Sequence, residues 1–373
     1  RVNNVKESMA IIGKNFFQNP CQKINLIGVT GTNGKTSTVS FIKQILGYDC
    51  KVGSIGTIEI YDGEKTITSI NTTPESLDIQ KNLNEMIKNN CKYCVMEVSS
   101  HALVLNRIDN IDYEAAVFTN LTQDHLDFHK TLENYKNAKE KLFYKTKSIN
   151  IFNIDDKVGE EFFNKSLNRD IKTYTYGVEK EADFKAANIK LYDDRTEYDL
   201  IIDKQKYKVS TPILGNFNVY NTLAAITTCI LLGLSREDVI KRVQNLKSVS
   251  GRLDKVENDK NVNIIVDYAH TPDALLNILK SARLFTKNRI ILVFGCGGNR
   301  DKAKRPIMGK IAQQNADISI ITSDNPRFEK EMDIIEDILC GIDKTLDNYF
   351  VVQDREDSIK KAIELYEVGD LII

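Results

Sequence analysis

The sequence predicts an α/β protein with a P-loop-type, mostly parallel central sheet domain followed by a smaller Rossmann-like α/β domain. Three observations support this. Apolar strand-like runs at 24–29, 94–98, 114–119 and 149–154 alternate with helical stretches at 75–90 and 131–146, as in sheets covered by helices. The first run passes through a tight glycine turn, Gly31-Thr32-Asn33-Gly34, into Lys35-Thr36-Ser37 and a helical pattern of Val39, Ile42 and Leu46. A second strand–helix alternation then starts after Gly251. We therefore expect two domains, 1–249 and 250–373, in a chain long enough to give each its own core.

Taken in order, residues 3–17 place Val5, Met9, Ile12 and Phe16 at helical spacing ahead of the first strand. Between about 171 and 212, short runs rich in Tyr, Ile and Thr predict a small antiparallel patch. Asn216 to Leu232 is rich in Ala and Leu and predicts a strong helix. The second domain follows as 262–267, 273–286, 290–295, 305–315, 318–322 and 331–345.

Composition excludes several classes. Lys plus Arg number 51 against 52 for Asp plus Glu, so no global field draws nucleic acid or membrane. No run of 18 apolar residues and no signal-peptide pattern is present. Seven scattered cysteines fit a reducing, cytoplasmic setting. Cys91 and Cys94 form a C-x-x-C without a second pair, which reads as buried strand cysteine rather than metal site. The start at Arg1 reads as a fragment.

The chemistry concentrates in a few segments. Strand, glycine turn and helix onset at Gly31 to Ser37 make a phosphate cradle. Backbone N–H groups and the helix dipole face the anion there, Lys35 reaches outer phosphates, and the Thr36 hydroxyl suits Mg²⁺. Val29 stands where the generic loop has its first glycine, so this is a variant of that pattern. Glu97 ends a buried strand, where open α/β sheets direct residues into the ligand crevice. His125 and His129 are four apart and able to share a helix face, though Leu126 replaces the glutamate of the zinc-protease pattern. Lys139, by local physics alone, is a solvated helix lysine. In the second half, Asp267 to Pro272, Gly295 to Lys302 and Ser323 to Arg327 follow strands. Arg300 and Arg327 offer planar forks for a substrate bearing more than one carboxylate.

These segments in this order resemble the Mur ligases of bacterial cell-wall synthesis, and within them the UDP-N-acetylmuramoyl-tripeptide synthetases. The matching stretches are GTNGKTS (31–37), NTTPES (71–76), MEVSSHAL (96–103), TNLTQDHLDFH (119–129), GNFNVYN (215–221), VDYAHTP (266–272), GCGGNRDKAKRP (295–306) and DNPR (324–327). They span essentially the whole chain.

The resemblance implies that ATP phosphorylates the terminal carboxylate of UDP-N-acetylmuramoyl-L-alanyl-D-glutamate and that the amine of a diamino acid attacks the acyl phosphate. Residue by residue, it implies that Gly31, Thr32, Asn33, Gly34, Lys35, Thr36 and Ser37 hold ATP, with Thr36 and Glu97 on Mg²⁺. It gives His125 a second Mg²⁺, and it implies a carbamylated Lys139 that is also a metal ligand. Thr72, Thr73, Ser99 and Arg107 would contact the UDP-muramoyl substrate, and Asn218, Asn221, Arg252, Asp267 and His270 the nucleotide. Arg300 with Asp324, Asn325, Pro326 and Arg327 would grip the incoming amino acid. The arginine closing D-N-P-R points to meso-diaminopimelate, because lysine would bring an ammonium against it. Cytoplasmic location and a monomer are expected, without nucleic acid or membrane insertion.

Two departures stand out. Leu105 replaces a glutamine common in relatives, and the chain shows neither the family's N-terminal uridine-binding domain nor the turn that follows its last strand. Competing readings are ligation of L-lysine, another amide ligase of the superfamily such as folylpolyglutamate or cyanophycin synthetase, and a nucleotide-binding scaffold without catalysis. Retention of Lys35, Glu97, His125 and Lys139 together speaks against the scaffold.

Overall fold

The computed structural model describes every residue except Arg1, Asn3 and Asp193. It divides into two compact units. The first is residues 1–190, 196–213 and 218–247, and the second is 191–195, 214–217 and 248–373.

The first unit opens with α1 (Val5–Phe16), capped by the Asn4 side chain accepting from Lys6 and Glu7 N–H. The predicted apolar stripe of α1 is not its buried face. Ala10 and Gly13 are buried, while Val5, Ile12 and Phe16 stay exposed. Small residues let α1 approach the helix over Ser76–Lys88 closely, so backbone proximity decides the contact face, not side-chain size. Next come β1 (Asn25–Thr30), α2 (Lys35–Leu46) and three short strands, β2 (Val52–Ile55), β3 (Glu59–Tyr61) and β4 (Thr66–Thr68). Helix α3 (Ser76–Lys88) leads to β5 (Tyr93–Glu97), α4 (Ser100–Val104) and β6 (Tyr113–Phe118). Helices α5 (Leu126–His129) and α6 (Leu132–Glu140) precede β7 (Thr146–Asn153). The helix expected over 131–146 thus stops at Glu140, and a 3₁₀ turn at Lys141–Tyr144 buries Leu142 and Phe143 under the sheet.

The unit closes with α7 (Lys157–Ser166), β8 (Lys172–Gly177), β9 (Phe184–Leu191), β10 (Thr196–Ile202), β11 (Gln205–Thr211), α8 (Asn216–Leu231) and α9 (Arg236–Val243). The antiparallel patch expected from 171 to 212 is present at β10 and β11, as one edge of the large sheet. Strands β8 and β9 continue the sheet in parallel, β10 lies beside β9 across a turn closed by Tyr192 N on Arg195 O (2.9 Å), and β10 with β11 makes an antiparallel hairpin. The result is one eleven-stranded sheet ordered β11-β10-β9-β8-β7-β6-β1-β5-β2-β3-β4.

Strand β1 lies in the middle, parallel to β5 on one side and β6 on the other. The chain leaves β1 toward β2 and later crosses to β6, so β1 marks the topological switch point where such sheets bind ligands. Register sets Val29 against Glu97 and Thr30 against Phe118, which brings the ends of three strands level with the glycine turn.

The second unit carries a two-residue hairpin, β12 (Asp254–Lys255) with β13 (Ile265–Val266), shorter than the strand expected over 262–267. Then follow α10 (Pro272–Phe285), β14 (Ile290–Phe294), α11 (Lys304–Asn315), β15 (Ile318–Ile321) and α12 (Glu331–Leu339). The last elements are β16 (Tyr349–Val351), α13 (Arg355–Leu365) and β17 (Leu371–Ile372). Four parallel strands in the order β16-β15-β14-β17 pack on a core of Leu275, Ile278, Leu292, Ile334 and Ile338. Thr271 caps α10 and Pro272 fills its first position, a strong start signal legible in the sequence.

Candidate active site

The glycine turn after β1 is built by close approach. Gly31 has φ +155, and a Cβ there would sit 1.9 Å from Thr119 Oγ1. Gly34 has φ +84, and a Cβ would sit 2.3 Å from Asn221 Oδ1. The turn is lashed to the segment after β6. Thr32 N donates to Asn120 O (2.8 Å), Asn33 N to Asn120 Oδ1 (2.9 Å) and Thr119 Oγ1 to Asn33 O (2.6 Å). Lys35 Nζ donates to Gly31 O (2.9 Å) and Thr32 O (2.8 Å), so its ammonium lies over the turn. Lys35, Thr36 and Ser37 open α2, whose start at Gly34 carries no side-chain cap. Asn218 and Asn221 on α8 are both buried, and Asn221 Nδ2 donates to Asn218 Oδ1 (2.8 Å).

Glu97 is buried at the end of β5, with Oε1 accepting from Thr57 N (2.7 Å) and Oε2 from Thr57 Oγ1 (3.1 Å). Thr57 is a partner that sequence reading missed, because nothing in its neighbourhood marks it. Each carboxylate oxygen keeps a second lone pair for a cation. Beside it, Thr73 Oγ1 donates to Glu97 O (2.8 Å) and accepts from Ser99 N (3.0 Å), while Thr57 Oγ1 lies 3.1 Å from Thr72 Oγ1. Arg107 Nη1 donates to Thr73 O (3.0 Å), its Nη2 lies 2.6 Å from Glu75 Oε1, and its buried Nε has no partner. The four residues read as substrate contacts, Thr72, Thr73, Ser99 and Arg107, therefore form one cluster next to Glu97.

Lys139 is not the solvated lysine that local physics predicts. It is 1% exposed. Its Nζ donates to Gly31 O at 2.7 Å, the same carbonyl that accepts from Lys35, and lies 4.4 Å from the centre of the Tyr135 ring. Burial, with the Lys35 charge adding to it, holds the Lys139 amine well below the usual lysine range. Tyr135, one turn earlier on α6, also reaches Thr32 Oγ1 through its hydroxyl (3.2 Å). Its i, i+4 spacing from Lys139 is the sequence signal that could have found it.

His125 and His129 do not share a helix face. His125 precedes α5 in the left-handed region at φ 54, half exposed, whereas His129 is buried with Nε2 2.9 Å from Ser100 Oγ. His101 joins them, its ring 4.9 Å from that of His125 and 5.6 Å from that of His129. Burial lowers all three imidazoles, His129 to about 4. His125 is thus a neutral nitrogen donor, with Asp124 Oδ2 3.4 Å away. Among the described residues no three His, Cys, Asp or Glu side chains form a ready-made metal cage. A hydroxyl, a carboxylate and one imidazole suit a cation such as Mg²⁺ that takes most of its ligands from phosphate and water.

In the second unit, Asp267 is raised by burial and accepts from Leu253 N (2.8 Å) and Ala269 N (2.9 Å). The Arg252 guanidinium lies 4.8 Å from the centre of the Tyr268 ring, and His270 Nδ1 is 3.0 Å from Tyr268 O. At the ends of β14 and β15, the loops 295–302 and 323–330 face each other. Arg300 is exposed, Arg327 Nη1 donates to Gly298 O (2.6 Å), and Gly298 N donates to Asn325 O (2.8 Å). Pro326 O accepts from Glu329 N (3.0 Å), and Asp324 Oδ1 lies 3.7 Å from Arg355 Nη1.

With this geometry in view, residues 29–229 match the family model described as Mur ligase middle domain, and residues 251–373 match Mur ligase, glutamate ligase domain. The chain belongs to the Mur ligase family. It is 51% identical over its whole length to the UDP-N-acetylmuramoyl-L-alanyl-D-glutamate–2,6-diaminopimelate ligase of Clostridioides difficile (strain 630), of which it spans 77%. A solved structure of a ligase of that name is 32% identical, with a TM-score of 0.72 over 98% of this chain and 76% of that one. The Mycobacterium tuberculosis folylpolyglutamate synthase superposes at a TM-score of 0.80 over 98% of this chain and 91% of that one, but at 15% identity shares only the fold. Mur ligases use ATP and Mg²⁺. Among the described residues no helix is long and apolar enough to cross a membrane.

Proposed function

We propose that this Mur ligase joins meso-diaminopimelate to UDP-N-acetylmuramoyl-L-alanyl-D-glutamate. The observation that carries the reading is the convergence at one sheet switch point of the phosphate turn, buried Glu97, the Thr73–Ser99–Arg107 cluster and the buried amine of Lys139. The glutamate carboxylate attacks the γ-phosphorus of ATP, releasing ADP and leaving an acyl phosphate. The amine then adds to that carbonyl carbon and phosphate departs. Such steps need positioning and charge neutralisation rather than a nucleophilic side chain.

On this reading, Gly31 to Ser37 hold the nucleotide phosphates and Arg107 the substrate. Asn218, Asn221, Arg252, Asp267 and His270 are assigned to the nucleotide. Thr36 and Glu97 would hold one Mg²⁺, and His125 with carbamylated Lys139 a second; bound Mg²⁺ neutralises phosphate charge. Lys139 is assigned a carbamate. Its neutral amine can add to the carbon of CO₂ and lose a proton, which turns an amine beside Lys35 into an anion. The ammonium form could not react in this way. The reaction is assigned to the cytoplasm, consistent with seven unpaired thiols, and to a monomer.

Arg300, Asp324, Asn325, Pro326 and Arg327 are assigned to the incoming amino acid, with Arg327 pairing its distal carboxylate. Losing one such charge-assisted contact costs roughly 2–5 kcal/mol, so the full-length enzyme should prefer meso-diaminopimelate over L-lysine by about thirtyfold or more. Ligation with the two amino acids in parallel tests this. Arg327→Ala should erase the preference, and an equal or better specificity constant for L-lysine would refute the assignment.

A further inference from the structure

Arg305, near the start of α11, is fully buried. Its Nη1 donates to Glu329 Oε2 (3.0 Å) and Asp337 Oδ2 (2.8 Å), and its Nη2 to Glu329 Oε1 (2.9 Å) and Gly297 O (3.3 Å). Glu329 also accepts from Asn299 N and lies 3.1 Å from Lys302 Nζ. Arg305 holds its carboxyl down at about 2, so it stays ionised. Asn299 Oδ1 in turn accepts from Phe328 N (3.0 Å). These contacts clamp the 295–302 loop to the 323–330 loop on the C-terminal side of Arg327, and Gly298 N on Asn325 O (2.8 Å) ties the N-terminal side.

Arg327 itself sits at φ 49, a left-handed backbone that arginine adopts only where its surroundings impose it. Gly298 leaves no room for adjustment, since a Cβ there would lie 1.9 Å from Pro326 O. A bidentate ion network around a buried arginine adds little net stability over apolar packing, but its geometry is exacting.

We infer that Arg305 and Glu329 are positioning residues for amino-acid selection, holding the two loops so that the Arg327 guanidinium points at the distal carboxylate. The inference rests on the meso-diaminopimelate reading given above. Neither residue need touch substrate.

The test is steady-state kinetics of the full-length enzyme with Glu329→Gln, which keeps shape and removes charge, beside Asp337→Asn, which loosens Arg305 from α12 only. Glu329→Gln should raise the KM for meso-diaminopimelate by about tenfold, the scale of one misplaced charge-assisted hydrogen bond. It should narrow the preference over L-lysine and leave the KM for ATP and for the nucleotide substrate within about twofold. Asp337→Asn should leave all three KM values unmoved, although it perturbs the same buried arginine. Should Glu329→Gln fail to fold, Asn299→Gly, which tolerates the left-handed backbone at Asn299 and removes only the bond to Phe328, carries the same expectation. An unmoved KM for meso-diaminopimelate in the folded variant, with the wild-type preference intact, overturns the positioning role alone. A wild-type enzyme without the preference removes the reading beneath it as well.

Discussion

Lys139→Ala is expected to cut ligation by about a hundredfold or more, on the scale of losing one preorganised electrostatic group. The side chain is buried between Gly31 O and the Tyr135 ring. If the working form is a carbamate, added formate or acetate should enter the vacated space and restore part of the rate. Incubating the wild-type protein with ¹³C-labelled CO₂ should give a carbamate carbon resonance that Lys139→Ala lacks. Full activity of Lys139→Ala without any additive would show that the residue serves only packing. Truncating a buried amine also removes its desolvation cost, so the variant should stay folded, and a thermal melt checks that.

The second large effect is on nucleotide binding. Lys35→Ala should weaken binding of a labelled, non-hydrolysable ATP analogue by roughly a hundredfold, the loss of two charge-assisted hydrogen bonds at about 1.5 kcal/mol each. Gly31 O and Thr32 O lose a donor in the variant, so some loosening of the turn accompanies the loss of charge. Comparison with Lys35→Arg separates the two effects. Arginine keeps the charge but cannot fit the lysine's point contact with both carbonyls, so it should recover only part of the affinity. Unchanged affinity in a folded Lys35→Ala protein would refute the phosphate-turn assignment.

Much of the site can be read along the chain because its parts are local. The phosphate turn needs a strand, two glycines and a helix start, all within residues 24–46. Glu97 declares itself by ending a buried run, and Arg327 by following a proline turn. The residues that escaped reading act at long range. Thr57 reaches Glu97 across 40 positions, and Glu329 reaches Arg305 across 24. Neither pair leaves a periodic trace, since a side-chain contact between separate elements imposes no spacing on either one. The first helix shows the opposite failure. Its apolar period is plain, yet Ala10 and Gly13 form the packed face, because close backbone approach favours the smallest side chains.

The sequence by itself determined the alternation of strands and helices and the residue types available to phosphate, cation and carboxylate. These follow from hydrophobic period, turn chemistry and donor identity, which are properties of short segments. Only the tertiary structure decided that the edge strands join one sheet, that His125 and His129 part company, and that Lys139 is buried. The last point shows why. The state of an amine depends on the water it has lost and the charges around it, and here Gly31 O, 108 positions away, and Lys35 supply that environment. A charge state is a property of a place in the fold, and no stretch of chain carries it alone.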